Sequence, residues 1–465
     1  MTPLTNTDYY KLSHEKFMND DTTQIYSNLT ARSGRHAPVL PSWDNKVVFF
    51  GLQAWIRDYL HTEWRDNFFD KPIEDVMSKF MRRVNTSLGP DAVSEEHFRA
   101  LHDLGYLPLE IRALPEGSRV PIGVPMVTIH NTHKDYAWLT NYLETVFSCD
   151  IWKPITTATI AYEYRKLMEK YSEQTCDNTD HIPFQCHDFS FRGMSGRNDA
   201  ATSGAGHLLS FSGTDTIPAI DWLEEHYFAN ADEELIGASV PASEHSVTSL
   251  GSAVESEFET IKRWITTDYP TGIVSVVSDT YDFWKVLTDY LPLLKEDILA
   301  RQPDALGNAK VVIRPDSGDP ADIICGTQGV QYRGARWPEQ KGAIELLWET
   351  FGGTINDKGY KVLDPHIGLI YGDSITLERA DDILRRLEDK GFAASNVVFG
   401  VGSFTYQYLT RDTFGMAVKA TAAIVDGNVL ELFKDPITDD GTKKSAKGYL
   451  QVFKGDEQVD DSYYL

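Results

Sequence analysis

The chain has 465 residues, 42% of them hydrophobic and 24% charged, which leaves room for a sizeable buried core. Its formal net charge of −25 excludes a broad nucleic-acid groove or an anionic-membrane surface, since both need basic patches. Any anionic substrate must be held by a few local arginines and backbone N–H groups.

The N-terminal stretch MTPLTNTDYYKLSHEKF contains no apolar signal-like run, and no stretch of about 18 apolar residues follows it. Cys149, Cys176, Cys186 and Cys325 are widely spaced, with no C-x-x-C pair. The expectation is a cytoplasmic protein with reduced thiols. Residues 47–60, VVFFGLQAWIRDYL, read as a helix with a wide apolar face, and so do residues 136–148. Between them, residues 107–130 read as short strands of a β-rich unit. A Pro115-Glu116-Gly117 turn interrupts them, and Pro121 and Pro125 suit edge positions.

The second half alternates short apolar runs with helical patterns. GIVSVV (272–277), KVVI (310–313), IGLIY (367–371) and NVVF (396–399) read as strands buried on both faces. The segment FQCHDFSFRG fits the same scheme, with a strand ending near Asp188. Leu377, Ala380, Ile383, Leu384 and Leu387 predict one helix face, stopped at Gly391. Asp279, Arg314, Asp316, Asp373 and Ser403 each fall just past a predicted strand end, the edge where parallel α/β sheets bind ligands.

Three features on that edge suit an anion. Gly372-Asp373-Ser374 lies between a strand and a helix start, and Gly400-Val401-Gly402-Ser403 is a second glycine turn. Arg192, Arg314 and Arg411 offer forked donors to phosphate oxygens. Asp279, Asp316 and Asp373 suit Mg²⁺ or sugar hydroxyls, although Asp373 would equally cap the helix that follows. Phe189 and Phe191 are core residues at strand spacing, or one of them forms a stacking wall for a planar ring. His245 reads as structural or catalytic. No P-loop and no G-x-G-x-x-G after a strand is present.

HDFSFRG, GTDT (213–216), SVPASEHS (239–246), SVVSDTYD (275–282), IRPDSGDP (313–320), YGDS (371–374), LTRD (409–412) and FKDP (433–436) resemble, in the same order, segments of the nicotinamide phosphoribosyltransferase family. TDYYKLSH, GLQAWI, LEIRALPEG and WLTNYLETV extend the resemblance over almost the whole chain. The resemblance implies transfer of the phosphoribosyl group from 5-phosphoribosyl 1-pyrophosphate to nicotinamide. It implies an irregular α/β barrel of the type II phosphoribosyltransferase kind beside a β-rich α+β domain. Residues 1–30 and 131–400 would form the barrel domain, and 31–130 with 401–465 the β-rich one. It implies a homodimer with active sites shared across the interface.

By position, the resemblance assigns Phe189 and the partner's Tyr10 to the two faces of the nicotinamide ring. Asp215 would accept the amide N–H, and Arg192 would reach the ring amide and the pyrophosphate side. Asp279, Arg314 and Asp316 would surround ribose, phosphate and Mg²⁺. Gly372, Asp373, Gly402, Ser403 and Arg411 would meet ribose and 5′-phosphate, with Arg32 and Lys434 reaching the phosphates across the dimer. His245 would be phosphorylated by ATP, an activating co-substrate. The chain departs from the family at Gly402-Ser403-Phe404, where the family has consecutive glycines. A nicotinate phosphoribosyltransferase, or a non-catalytic nucleotide-binding protein on the same scaffold, are the competing readings. A helix cap is the competing reading of Asp215 itself.

Overall fold

The computed structural model describes residues 2–328, 337–438, 444–454, 457–459 and 461–464. Two six-stranded sheets organise them. The first is antiparallel, in the order Asn428–Glu431, Ala417–Val425, Thr22–Thr30, Pro125–Asn131, Leu109–Ala113, Asp461–Tyr464. Residues 22–30 therefore pair with the β-rich unit and not with the barrel. Pro125 also departs from expectation: it opens a central strand, where a first-position proline costs no ladder bond. Pro121 does sit in a two-stranded pair, Arg119–Pro121 with Lys46–Val48.

That pair claims the first residues of the predicted 47–60 helix. The helix starts only at Leu52, after Gly51 at φ +104, and continues through Ile56–Glu63 with wider turns. Gly51 is required twice over, because its φ is left-handed and a Cβ there would stand 2.6 Å from Pro154 Cγ. The second predicted helix is longer than its amphipathic start suggests. Trp138–Thr175 runs for 38 residues, includes Pro154, and is buried on most sides, against strands of the antiparallel sheet and against the helices Arg197–Leu208 and Leu377–Asp389.

The second sheet is parallel, in the order Gly213–Thr214, Cys186–Asp188, Val397–Val401, Ile367–Tyr371, Val311–Arg314, Val274–Val277. Its two outer strands are joined through residues 238–243, where Gly213 bridges Ala238 and Ala242 bridges Ser275, both in parallel. The ring so closed is an irregular α/β barrel. Val311, Ile313, Ile367, Leu369, Val397 and Phe399 are fully buried on one face of their strands, while Val312, Gly368 and Val398 between them are only part-buried; Val274–Val277 is buried at every position, as a two-sided strand requires. The helix Leu377–Asp389 buries Leu377, Ala380, Ile383, Leu384 and Leu387, takes Thr376 as its cap, and is followed by Gly391 at φ +75. All four cysteines are free thiols. Among the described residues, no helix is long and apolar enough to cross a membrane.

Candidate active site

The C-terminal ends of the parallel strands bring the predicted residues to one edge. Phe189 follows Cys186–Asp188, and its N–H donates to Val401 O at 2.9 Å. Its ring lies against two glycines: a Cβ on Gly400 would stand 2.4 Å from Phe189 Cδ2, and one on Gly372 would stand 3.6 Å from Cε2. Phe189 is thus only half-buried, with one side in the barrel and the other toward the mouth. The Arg314 guanidinium sits 5.9 Å from the ring centroid. Arg314 Nε is buried and has no acceptor in the protein. Phe191 is exposed and takes no part in this wall.

Next to it, His245 opens the helix His245–Val254. Its Nδ1 lies 3.0 Å from Thr280 Oγ1 and its Nε2 lies 3.1 Å from Asp316 Oδ1. Asp279 Oδ2 accepts from Asp316 N at 2.9 Å and from Ser317 Oγ at 2.5 Å. Asp279 Oδ1 is buried, has no hydrogen-bond partner, and lies 3.8 Å from His245 Nε2. One donor atom from each of His245, Asp279 and Asp316 falls within 4.8 Å of the other two. The two carboxylates, one with an unsatisfied oxygen, match the oxygen ligands that Mg²⁺ takes.

Asp215 follows Gly213–Thr214 and faces the same mouth. Its Oδ1 lies 2.9 Å from His187 Nε2 and accepts from Ser239 Oγ at 2.5 Å. Among the described residues, Oδ2 accepts nothing. Burial pushes the carboxyl up, but the hydrogen bonds from His187 and Ser239, with the charges of His187 and Arg314, hold it below its ordinary value. Asp215 does not cap the helix Ile217–Tyr227; Thr216 holds the cap position, with no side-chain bond. Asp373 is not a cap either, because Thr376 caps its helix, and Asp373 Oδ2 accepts from Ser374 Oγ at 2.8 Å.

A second group lies on the β-rich side. Arg32, Arg35, His36, Arg411, Lys419 and Lys434 line a pocket of about 420 Å³ together with Ser33, Asp412 and Gly415. Tyr10 is 60% exposed, and Arg411 lies close enough to act on its phenol. Beneath them, Glu144 accepts from Lys11 Nζ at 2.5 Å and from Lys419 Nζ at 3.0 Å.

The sequence profile described as the Nicotinate phosphoribosyltransferase (NAPRTase) family matches residues 184–464. A nicotinamide phosphoribosyltransferase of Acinetobacter baylyi is 54% identical over 465 residues, covering 100% of this chain and 90% of that protein. The chain belongs to the nicotinate phosphoribosyltransferase family. A nicotinamide phosphoribosyltransferase of Mycoplasma pneumoniae is 38% identical, covering 95% of this chain and 93% of that protein. The fold is similar to that of a nicotinate-nucleotide pyrophosphorylase from Pyrococcus furiosus, with TM-score 0.54, 12% identity and coverage of 99% and 89%. It is equally similar to human nicotinic acid phosphoribosyltransferase, with TM-score 0.54, 15% identity and coverage of 90% and 74%.

In this member of the nicotinate phosphoribosyltransferase family, the predicted residues separate into two groups. Phe189, Asp215, His245, Asp279, Arg314, Asp316, Gly372, Asp373, Gly402 and Ser403 stand at the ends of the parallel strands, and exposed Arg192 follows Phe189 on the turn Phe191–Gly193. Arg411, grouped with Ser403 in the sequence, instead lines the basic pocket with Arg32 and Lys434. His187 and Ser239 were not predicted as the partners of Asp215. Ser239 stands in the quoted SVPASEHS motif, so a signal existed; His187 carried none beyond its place two residues before Phe189. Phe404 does not fill the turn at Gly402-Ser403. It points outward, 50% exposed, and stacks on Tyr408 at 5.5 Å.

Proposed function

We propose that this chain transfers the 5-phosphoribosyl group from phosphoribosyl pyrophosphate to nicotinamide, giving nicotinamide mononucleotide and pyrophosphate. The observation that carries the choice of base is Asp215. Its carboxylate is kept ionised beside the Phe189 wall and has an oxygen left to accept an amide N–H. A nicotinate carboxylate offers no N–H and carries the same sign of charge.

The ring of the base lies on Phe189 and its amide reaches Asp215. Arg314 and Arg192, whose guanidinium groups donate to no protein acceptor among the described residues, receive the phosphates. Breaking the C1′–oxygen bond leaves positive charge on the ribose and negative charge on the departing pyrophosphate. The arginines stabilise the second, and the carboxylates at the mouth suit the first. Asp279 and Asp316 would hold Mg²⁺, which when bound neutralises charge on the pyrophosphate. His245, with a ring nitrogen on either side facing Thr280 and Asp316, is the acceptor of a phosphoryl group from ATP.

The active unit is a homodimer. The helix His245–Val254 leaves Val247, Leu250 and Val254 exposed at 43%, 66% and 81%, an apolar stripe beside the mouth that a second copy would cover. The basic pocket and Tyr10 of one protomer then complete the mouth of the other. The test is incubation with phosphoribosyl pyrophosphate, Mg²⁺ and either base, with mass detection of the mononucleotide. Nicotinamide mononucleotide should form at least tenfold faster than the acid product. Equal or faster use of nicotinate would favour the acid-specific reading.

A further inference from the structure

The turn after Val397–Val401 is not held by its own backbone alone. It carries Gly402 and Ser403 into the short helix Ser403–Tyr406, and Tyr406 and Gln407 close it. Lys153 rises beneath it from the long helix Trp138–Thr175. Lys153 is 4% exposed, and its Nζ donates to Tyr406 O at 2.7 Å and to Gln407 Oε1 at 2.9 Å. It also lies 3.7 Å from Asp199 Oδ1. Asp199 Oδ2 accepts from Ser195 N at 2.9 Å, and Gln407 Nε2 donates to Ser195 Oγ.

One buried ammonium thus ties two turns together. One turn holds Ser403, and the other, residues 192–199, begins with Arg192. The turns also touch directly, since a Cβ on Gly193 would stand 2.2 Å from Ser403 Oγ. A buried charge is retained only where its partners repay its desolvation, and here each strong partner belongs to one of these two turns. The family's consecutive glycines are replaced at Ser403 and Phe404, so this turn must hold bulkier residues in one path.

We infer that Lys153 is a positioning residue for the phosphate-binding turn. It fixes Ser403 and Arg192 relative to each other from beneath, and so sets affinity for the phosphorylated ribosyl donor rather than the rate of bond breaking. The inference rests on the proposed function for the identity of that donor. Lys153 touches no substrate position itself.

The test compares Lys153→Met, Gln407→Leu and Lys153→Arg with the unsubstituted protein, reading KM for each substrate and kcat separately. Lys153→Met should raise KM for phosphoribosyl pyrophosphate about tenfold or more, with kcat within threefold and KM for nicotinamide within twofold. Gln407→Leu, which cuts the same link at a half-buried site, should raise it about threefold to fivefold. Lys153→Arg should recover part of the loss. Binding of ribose 5-phosphate, measured by calorimetry without turnover, should weaken in parallel. A donor KM and ribose 5-phosphate affinity unchanged within twofold in Gln407→Leu, or kcat and both KM values moving together, would overturn the assignment. If Lys153→Met does not fold, Gln407→Leu decides alone. Absence of mononucleotide from the unsubstituted protein would instead refute the proposed function, and ribose 5-phosphate binding would still decide the role of Lys153.

Discussion

His187 Nε2 lies 2.9 Å from Asp215 Oδ1, and Ser239 Oγ reaches the same oxygen at 2.5 Å, so one side of the carboxylate is fixed by the protein while Oδ2 accepts nothing among the described residues. On the proposed function, the choice of base depends on Asp215. Asp215→Asn should lower kcat/KM for nicotinamide at least tenfold and shift the preference toward nicotinate, because removing the charge removes the repulsion of the acid. Parallel kinetics with both bases check it. An unchanged preference would sink this role for Asp215.

Arg314 stands over Phe189 with its Nε buried and unpaired, a donor waiting for an anion. Arg314→Ala should cost on the order of 2–4 kcal/mol of transition-state stabilisation, read as kcat/KM. A change below threefold would place the phosphates elsewhere.

His245 should take label from γ-labelled ATP with Mg²⁺, and His245→Ala should abolish it. Asp316→Asn should reduce the labelling rate, because Asp316 Oδ1 is 3.1 Å from the ring nitrogen Nε2. Label persisting in His245→Ala would assign the phosphoryl group to another residue.

The shared site can be tested by mixing. Tyr10→Ala and Arg314→Ala proteins, each inactive alone, should regain measurable activity together once subunit exchange is shown. Exchange without recovery contradicts a mouth completed by the partner.

Glu144 offers a pH test. Burial pushes its carboxyl up, but Lys11 and Lys419 outweigh this and hold it below the ordinary value. A depressed carboxylate contributes stability above its unfolded pKa, about 4.3, and loses it as pH falls through the folded value. Glu144→Gln leaves the buried Lys11 ammonium without its carboxylate and should destabilise the protein by roughly 3–5 kcal/mol at pH 7. The difference from the unsubstituted protein should shrink below about pH 4. Urea midpoints across that range measure it, and a gap independent of pH would refute the ionic account.

The barrel was legible because its strands are short β-branched runs that end in polar residues; the run at 367–371 coincides with Ile367–Tyr371. Thr22–Thr30 was not, since TTQIYSNLT mixes polar and apolar residues without marking which sheet it joins. The helix at 47–60 was misread at its start because VVFF suits a strand as well as a helix face, and pairing with Arg119–Pro121 decided it. The mouth residues could be located by motif. Their supports could not, because Lys153 meets Tyr406 and Glu144 meets Lys419 over separations of more than 250 residues. Such pairs leave no periodic trace. Arg411 shows the same limit: its neighbours in sequence point to Ser403, and its neighbours in space are Arg32 and Lys434.

The ring of parallel strands is closed by a lightly bonded joint. Residues 238–243 close it with four backbone hydrogen bonds, Thr214 N to Ala238 O, Ala238 N to Ser212 O, Ser243 N to Ser275 O and Ser275 N to Pro241 O, at 2.7–2.9 Å. A seam held by so few bonds opens at lower free energy than a longer ladder such as Val274–Val277 on Val311–Arg314. The same segment carries Ser239, whose hydroxyl donates to Asp215, and leads into His245. Ser239 and His245 therefore share one lightly bonded segment, and a displacement of one is passed to the other along six residues of chain.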